Sequence, residues 1–392
     1  MMEKGVLVTF SEIGLKSART REKLIKLLAK NIEKGLNWIG FKPKNLIIKW
    51  DRIIIFTKND NFEVAESIKG IPGIRFTAPI YYFQNLSLDE LVNEVVKEVI
   101  TKLNRKTFKV ETKRKDKSIP FTSIEISSMI GKKILEECKK NNFDVKVNLK
   151  NFDIKINVEV DRNYSLFYFQ RFEGYDGYPI GSQSSLVSLL SGGTDSAVAT
   201  WLMMQRGCKA FPIFMNQSPF TGCCHIEKAY QVFSKLRKVT LYPEMNLAVA
   251  KIGGIMEKIV KNVKPKNICV HCKRTMIKVA TKYAENVKAK GLITGESVGQ
   301  VASQTVDNLY VISQATKMPI FRPLIGFSKE FIHKLAKEIN IYEVAAKDVG
   351  YCDILPPHPI TKSKLEEILD EEKNLELDFE IKKVMENLEF VN

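Results

Sequence analysis

Along the first part of the chain the spacing of apolar residues changes several times, and each change predicts an element. Residues 4–10, KGVLVTF, read as a strand. From Ser17 to about Trp38, Leu24, Leu27, Leu28, Ile32 and Leu36 recur at helical spacing, and NLIIKWDRIIIFT then reads as a hairpin. A second α+β stretch follows. LSLDELVNEVVKEVITKL is helical, TFKVETKR a strand, TSIEISSMIGKKILEECKK a helix, and DIKINVEVDRNYSLFYFQRF is strand-like.

Around Glu173 the texture changes. EGYDGYPIGSQSS holds three glycines and a proline, which is linker chemistry. Beyond it the pattern predicts alternation: strand LVSLL, a helix from Asp195, strand AFPIFMN, a helix from about His225 and strand KVTLYPE. A helix around Ile252, another from about Lys273, strand AKGLITGES and further helices complete it. Such alternation argues for a doubly wound parallel sheet. The expected division is 1–60, 61–172 and 173–392, and 392 residues suit two or three domains.

Composition narrows the class. No run of eighteen apolar residues appears and MMEKGVLVTF lacks a signal-peptide pattern, so a cytoplasmic protein with no membrane partner is expected. The formal net charge is +16 and uneven. Residues 1–60 carry 13 basic against 6 acidic side chains, residues 101–150 carry 14 against 6, and the tail from Lys364 has 4 against 10. A basic N-terminal part is the footprint of a polyanion binder, although a lysine-rich solvated surface gives the same count. Seven cysteines, an odd number, argue in a reducing compartment against a disulfide framework and for metal or catalytic use of a subset.

The most specific motif is LVSLLSGGTDSAVATWLMMQRG. An apolar strand ends at Leu190, and the turn Ser191-Gly192-Gly193-Thr194-Asp195-Ser196 opens a helix. Consecutive glycines let N–H groups approach an anion, and the helix start adds partial positive charge. The turn lacks the Gly-Lys-Ser/Thr of a Walker A loop and is not G-x-G-x-x-G. It resembles the pyrophosphatase loop of enzymes that split ATP between the α- and β-phosphates, with Asp195 the natural carboxylate for Mg²⁺. A second glycine turn, GLITGESVGQVASQT, again ends a strand and offers Gly295, Glu296 and Gln304.

Five segments in order, SEIGLKS, RFEGYDGYPIGSQSS, the pyrophosphatase loop, TGESVGQVASQT and FRPLIGFSKEFI, resemble the tRNA 4-thiouridine synthetase family over essentially the whole chain. The resemblance implies a ferredoxin-like domain at 1–60, a tRNA-gripping THUMP domain at 61–172 and an ATP pyrophosphatase domain at 173–392. It implies ATP-dependent conversion of uridine 8 of tRNA to 4-thiouridine, with AMP and pyrophosphate as products and sulfide or a persulfide carrier as donor. Leu189, Leu190, Phe214 and Met215 would hold the adenine. Ser191, Gly192, Gly193, Asp195 and Ser196 would take the phosphates, and Lys273, Gly295 and Gln304 would complete the site. Lys273 stands where bacterial relatives usually have Arg, so the charge is kept without the bidentate fork.

Cys352, in DVGYCDILPPHP, resembles the family's sulfur-transfer cysteine. Bacterial relatives often add a rhodanese domain to supply it; none follows here before Asn392. Cys269 and Cys272, in NICVHC, stand where those relatives have no pair. By spacing alone they are a redox pair, part of a metal site or buried structural thiols. Taken with Cys352, the archaeal-type branch implies three ligands of an iron–sulfur cluster, with zinc, joined by His271, His225 or His358, as the alternative. Cys223 and Cys224, in FTGCCHIEK, have no assigned role; Cys138 and Cys208 read as core. Other readings are a thiolase acting at a different tRNA base, sulfur transfer for the thiamine thiazole, and a non-enzymatic tRNA-binding metalloprotein. The distance in sequence between the basic and catalytic parts leaves room for a homodimer.

Overall fold

The computed structural model describes residues 2–350 and 352–391. It divides into two compact units, the first holding the residues up to Gly70 and Ile74–Asp176, the second Ile71–Gly73 and the residues from Gly177 onward. The first unit runs β1 (Met2–Thr9), α1 (Ala18–Trp38), β2 (Pro43–Ile48), β3 (Arg52–Thr57), α2 (Asn61–Ile68), β4 (Phe76–Gln84) and α3 (Leu88–Val99). It continues with β5 (Lys106–Arg114), α4 (Ser123–Lys140), β6 (Val145–Val147), β7 (Ile154–Val160), β8 (Tyr164–Tyr168) and β9 (Phe172–Glu173). A single sheet takes the order β2-β3-β1-β4-β8-β7-β5-β6, with β9 also pairing β4.

The helices start where side-chain chemistry starts them. Ser87 caps α3, accepting from the Glu90 N–H while the Glu90 carboxylate accepts from the Ser87 N–H at 2.9 Å. Thr122 and Glu125 repeat the box at α4. The buried faces of these helices close over Phe83, Phe108, Ile156 and Phe167 of the sheet.

Residues 58–85 carry no element predicted by the pattern, yet α2 and β4 lie there, and β4 stands between β1 and β8. Pro79 argues against an interior strand because it lacks an N–H. The structure resolves the conflict: β9 covers Phe76–Thr77 and β8 covers Tyr81–Gln84, so Pro79 falls in the gap between them.

One ion cluster ties β3 to β7. The Arg52 guanidinium, 3% exposed, pairs with the buried Glu159 carboxylate and reaches Asp51 at 2.7 Å, and Lys115 joins Asp51 at 2.8 Å. Burial alone would raise the Asp51 pKa, but hydrogen bonds from Arg52 and Lys115 hold it well below the usual carboxylate range. Its contribution is therefore present above its unfolded pKa and is lost as pH falls toward the depressed folded value. Arg52→Ala leaves Glu159 uncompensated inside the unit and is expected to destabilise it by about 3–5 kcal/mol. Urea unfolding followed by circular dichroism measures this, and a loss below about 1 kcal/mol would mean that the pair is solvated.

The second unit runs β10 (Leu186–Leu189), α5 (Thr194–Gln205), β11 (Ala210–Asn216), α6 (Cys223–Val239), β12 (Leu247–Lys251), α7 (Gly253–Asn262), α8 (Ile268–Asn286) and β13 (Leu292–Ile293). Then follow α9 (Val306–Ser313), β14 (Ile320–Phe321), α10 (Lys329–Glu338), α11 (Tyr342–Ala345), α12 (Leu365–Lys373), α13 (Leu377–Glu386) and β15 (Glu389–Val391). Its sheet order is β14-β13-β10-β11-β12-β15, parallel throughout except for β15. This is the expected doubly wound sheet with an antiparallel edge. One predicted strand is misplaced. Lys238 and Val239 of KVTLYPE end α6 instead, because Leu236 and Phe233 continue its buried face, and the strand forms later at Leu247–Lys251.

The order also positions the site. After β10 the chain adds β11 and β12 on one side, then returns to place β13 and β14 on the other. The crevice at the carboxyl end of β10 is thus the switch point where open α/β sheets take ligands. Among the described residues no helix is long and apolar enough to cross a membrane.

Candidate active site

A cavity of about 240 Å³ opens at that switch point. Leu189, Leu190, Ser191, Asp195 and Ser196 line it from β10 and the following turn, Phe214 and Met215 from β11, Lys273 from α8, and Gly295 and Gln304 from the second glycine turn. Ten of the twelve residues expected to hold nucleotide therefore meet at one place. Gly192 and Gly193 do not line it; they shape the turn. Gly192 has φ +79°, and a Cβ there would sit 2.9 Å from the backbone nitrogen of Ala229, so α6 could not pack so close. Gly193 caps α5.

The turn is held by its own serines. Ser196 Oγ accepts from the Ser191 N–H at 3.1 Å and lies 3.1 Å from Ser191 Oγ. Ser191 Oγ accepts from the Gly193 N–H at 3.4 Å. Gly295 brings the second turn against the first: a Cβ there would lie 2.6 Å from the carbonyl carbon of Asp195 and the nitrogen of Ser196. Gln304 Oε1 accepts from the Ser297 N–H at 3.2 Å, fixing that turn, and Arg322 donates to the buried Glu296 at 2.7 Å.

Two functional groups were missed by the sequence reading. Lys329, first residue of α10, grips both Asp195 oxygens at 2.6 and 2.8 Å. It sets a positive charge against the carboxylate of the pyrophosphatase-type turn, and only its position inside FRPLIGFSKEFI hinted at it. Gln217, at the end of β11, lines the cavity and is the amide on which two of the thiols converge. Cys272 Sγ is 3.5 Å and Cys352 Sγ 4.0 Å from Gln217 Oε1.

Cys269 and Cys272 stand on the first turns of α8, and a thiolate at Cys352 would raise the pKa of each. Burial pushes the Cys272 thiol up to about 12, with Lys273 opposing and the other two thiols adding to the rise. Burial also raises Cys269 and Cys352. Each is therefore held as neutral thiol at neutral pH unless a cation joins it.

The opposite face of α8 is locked. His271 Nε2 lies 2.7 Å from Glu371, and Arg274, 1% exposed, pairs with Glu372 at 2.7 Å. The alternative that His271 joins the thiols in a zinc site is thereby corrected: like Asn267 one turn earlier, it reaches Glu371 of α12. His358 is exposed and His225 lines the cavity instead. Among the described residues no group of three or more His, Cys, Asp or Glu side chains is disposed to hold a single metal ion.

Comparison with known proteins agrees with this layout. Residues 5–77 match the ThiI ferredoxin-like domain, 87–169 the THUMP domain, and 181–377 the family described as thiamine biosynthesis protein (ThiI). A protein of Methanocaldococcus jannaschii named probable tRNA sulfurtransferase is 35% identical over 93% of this chain and 95% of its own. The chain belongs to the ThiI family. A second member, from Thermoanaerobacter sp. and of the same name, is 36% identical over 96% of each chain. A solved ThiI-like structure, a 4-thiouridine synthetase in complex with RNA and bound ATP, superposes with a TM-score of 0.86 at 31% identity over 99% of each chain. The three-part order of ThiI proteins is thus the order found here.

Proposed function

We propose that this chain is a cytoplasmic, ATP-dependent tRNA sulfurtransferase that converts the uridine at position 8 of tRNA to 4-thiouridine. The observation that carries the reading is the convergence on one cavity of the pyrophosphatase-type turn, Lys273 and Gln217, with Cys272 and Cys352 on that same glutamine. The names of its relatives and the RNA and ATP held by the similar synthetase support it. So does the basic excess of residues 1–60 and 101–150.

The chemistry follows from the site. O4 of uridine is a poor leaving group, so it must first become part of a good one. Leu189, Leu190, Phe214 and Met215 hold adenine, and the turn N–H groups hold the phosphates with Lys273 and Lys329 balancing their charge. O4 then attacks the α-phosphorus and pyrophosphate departs. Sulfur adds at C4 and the C4–O4 bond breaks, releasing AMP. Mg²⁺ held by Asp195 would neutralise phosphate charge further.

Cys269, Cys272 and Cys352 would hold an iron–sulfur cluster. The chemistry of the donors is what such a cluster takes: Cys272 and Cys352 both reach Gln217 Oε1, and Cys269 lies one turn from Cys272 on α8. Held there, such a cluster would supply iron chemistry able to bind and present sulfide.

Anaerobic incubation with unmodified tRNA, ATP and sulfide, followed by nucleoside analysis, tests the proposal. 4-Thiouridine at position 8 is expected, with one AMP per base converted. Thiolation at another base, or none, would reject it.

A further inference from the structure

Four cysteines take no part in the reading above, and two of them are exposed. Cys223 and Cys224, adjacent in the chain, are the first two residues of α6, and both are exposed. Their mutual interaction raises the Cys224 pKa, so the pair carries one negative charge more readily than two. Exposed free thiols are usually avoided because they oxidise and exchange, and an adjacent pair doubles the hazard. Cys138 and Cys208, by contrast, are buried.

The pair is joined to the cavity by a short stretch of chain. Gln217, Thr221 and His225 all line the cavity, so residues 217–225 run from its wall to the surface and back. His225, next to Cys224, has an Nδ1 that is shielded from solvent and has no hydrogen-bond partner. The segment bearing Cys352 lies alongside. The Asp353 N–H donates to Phe220 O at 3.1 Å, and Lys228 Nζ donates to Lys347 O at 2.6 Å. Five of the seven cysteines thus belong to one neighbourhood, three at the inner end and two at the outer.

We propose that Cys223 and Cys224 form a sulfur-accepting site that takes the outer sulfur of a persulfide donor and releases it as sulfide beside the cavity. The proposal rests on the thiolation reading. In the first step a thiolate of the pair attacks the outer sulfur of R–S–SH. The donor S–S bond breaks, a Cys–S–S bond forms, and the donor leaves as R–SH with no net change of oxidation state. In the second, the neighbouring thiol attacks the inner sulfur and expels hydrogen sulfide, while the two cysteines are oxidised to a disulfide. Two molecules of a small thiol reductant then restore both thiols and become a disulfide themselves. Adjacent Cα atoms are only about 3.8 Å apart, short of the roughly 4.4–6.8 Å that a relaxed disulfide spans, so this ring is strained and easily reduced.

The test uses the full chain with glutathione persulfide as probe. Peptides covering residues 217–228 are alkylated and weighed, and thiolation of tRNA is measured with either glutathione persulfide or free sulfide as sulfur source. The expected result is an adduct about 32 Da heavier on the pair. The double variant Cys223→Ser, Cys224→Ser should be about tenfold or more slower with persulfide yet unchanged with sulfide. No adduct on the pair, equal rates of variant and parent with persulfide, or equal loss with both sources would overturn the proposal. If the parent forms no 4-thiouridine with sulfide, the thiolation reading fails, while the adduct mass still decides whether the pair accepts sulfur.

Discussion

Asp195→Asn is expected to lower ATP-dependent thiolation by about two to three orders of magnitude while tRNA affinity stays within about twofold. The substitution keeps the side-chain volume and one acceptor oxygen but removes the charge. Asp195 lies in the turn where α5 begins, backed by Gly295, and its carboxylate holds Lys329 by both oxygens. Without the charge, Lys329 loses its anchor and a divalent cation loses its best ligand. The basic residues credited with RNA binding are elsewhere in the chain, within 1–60 and 101–150. Product analysis of thiolation beside a filter-binding measurement of tRNA separates the two effects. Thiolation at the parent rate would show that the turn does not handle phosphate.

Cys272→Ala should split the reaction at its midpoint. Cys272, on α8, contacts Gln217, whereas the residues proposed to hold adenine, Leu189, Leu190, Phe214 and Met215, lie on β10, β11 and the turn after β10. Nucleotide activation should therefore continue: tRNA-dependent release of pyrophosphate is expected within about threefold of the parent. 4-Thiouridine should fall below detection, and any absorbance near about 400 nm in anaerobically purified protein should fade with it. Equal loss of pyrophosphate release would place the cysteine in nucleotide binding, and intact 4-thiouridine would remove it from sulfur delivery.

The sequence made the catalytic unit legible because its signals are local. A strand followed by two glycines and an Asp states its own geometry, and ten of the residues expected to hold nucleotide do line one cavity. What was not legible depends on pairing across the chain. Pro79 made β4 look unlike an interior strand, since only the gap between β8 and β9 explains it. KVTLYPE reads as a strand by composition, but packing against α6's buried face extends the helix. His271 looked like a ligand because it lies between two cysteines, whereas α-helical geometry turns it a third of the way round, to Glu371. Lys329 carried no signal beyond its place in FRPLIGFSKEFI, because its partner is 134 residues away.

The placement of β4 has a consequence for cutting this chain into parts. The THUMP match begins at residue 87, after β4, yet β4 is the neighbour that covers the free edge of β8. A fragment excised at that boundary would bare a strand of five buried residues, Tyr164–Tyr168, along its hydrogen-bonding edge. Such an edge seeks another strand, so the fragment should self-associate in gel filtration more than the whole first unit, in which β4 covers β8 and β1 in turn covers β4. The smallest transplantable form of the module is longer than its sequence signature.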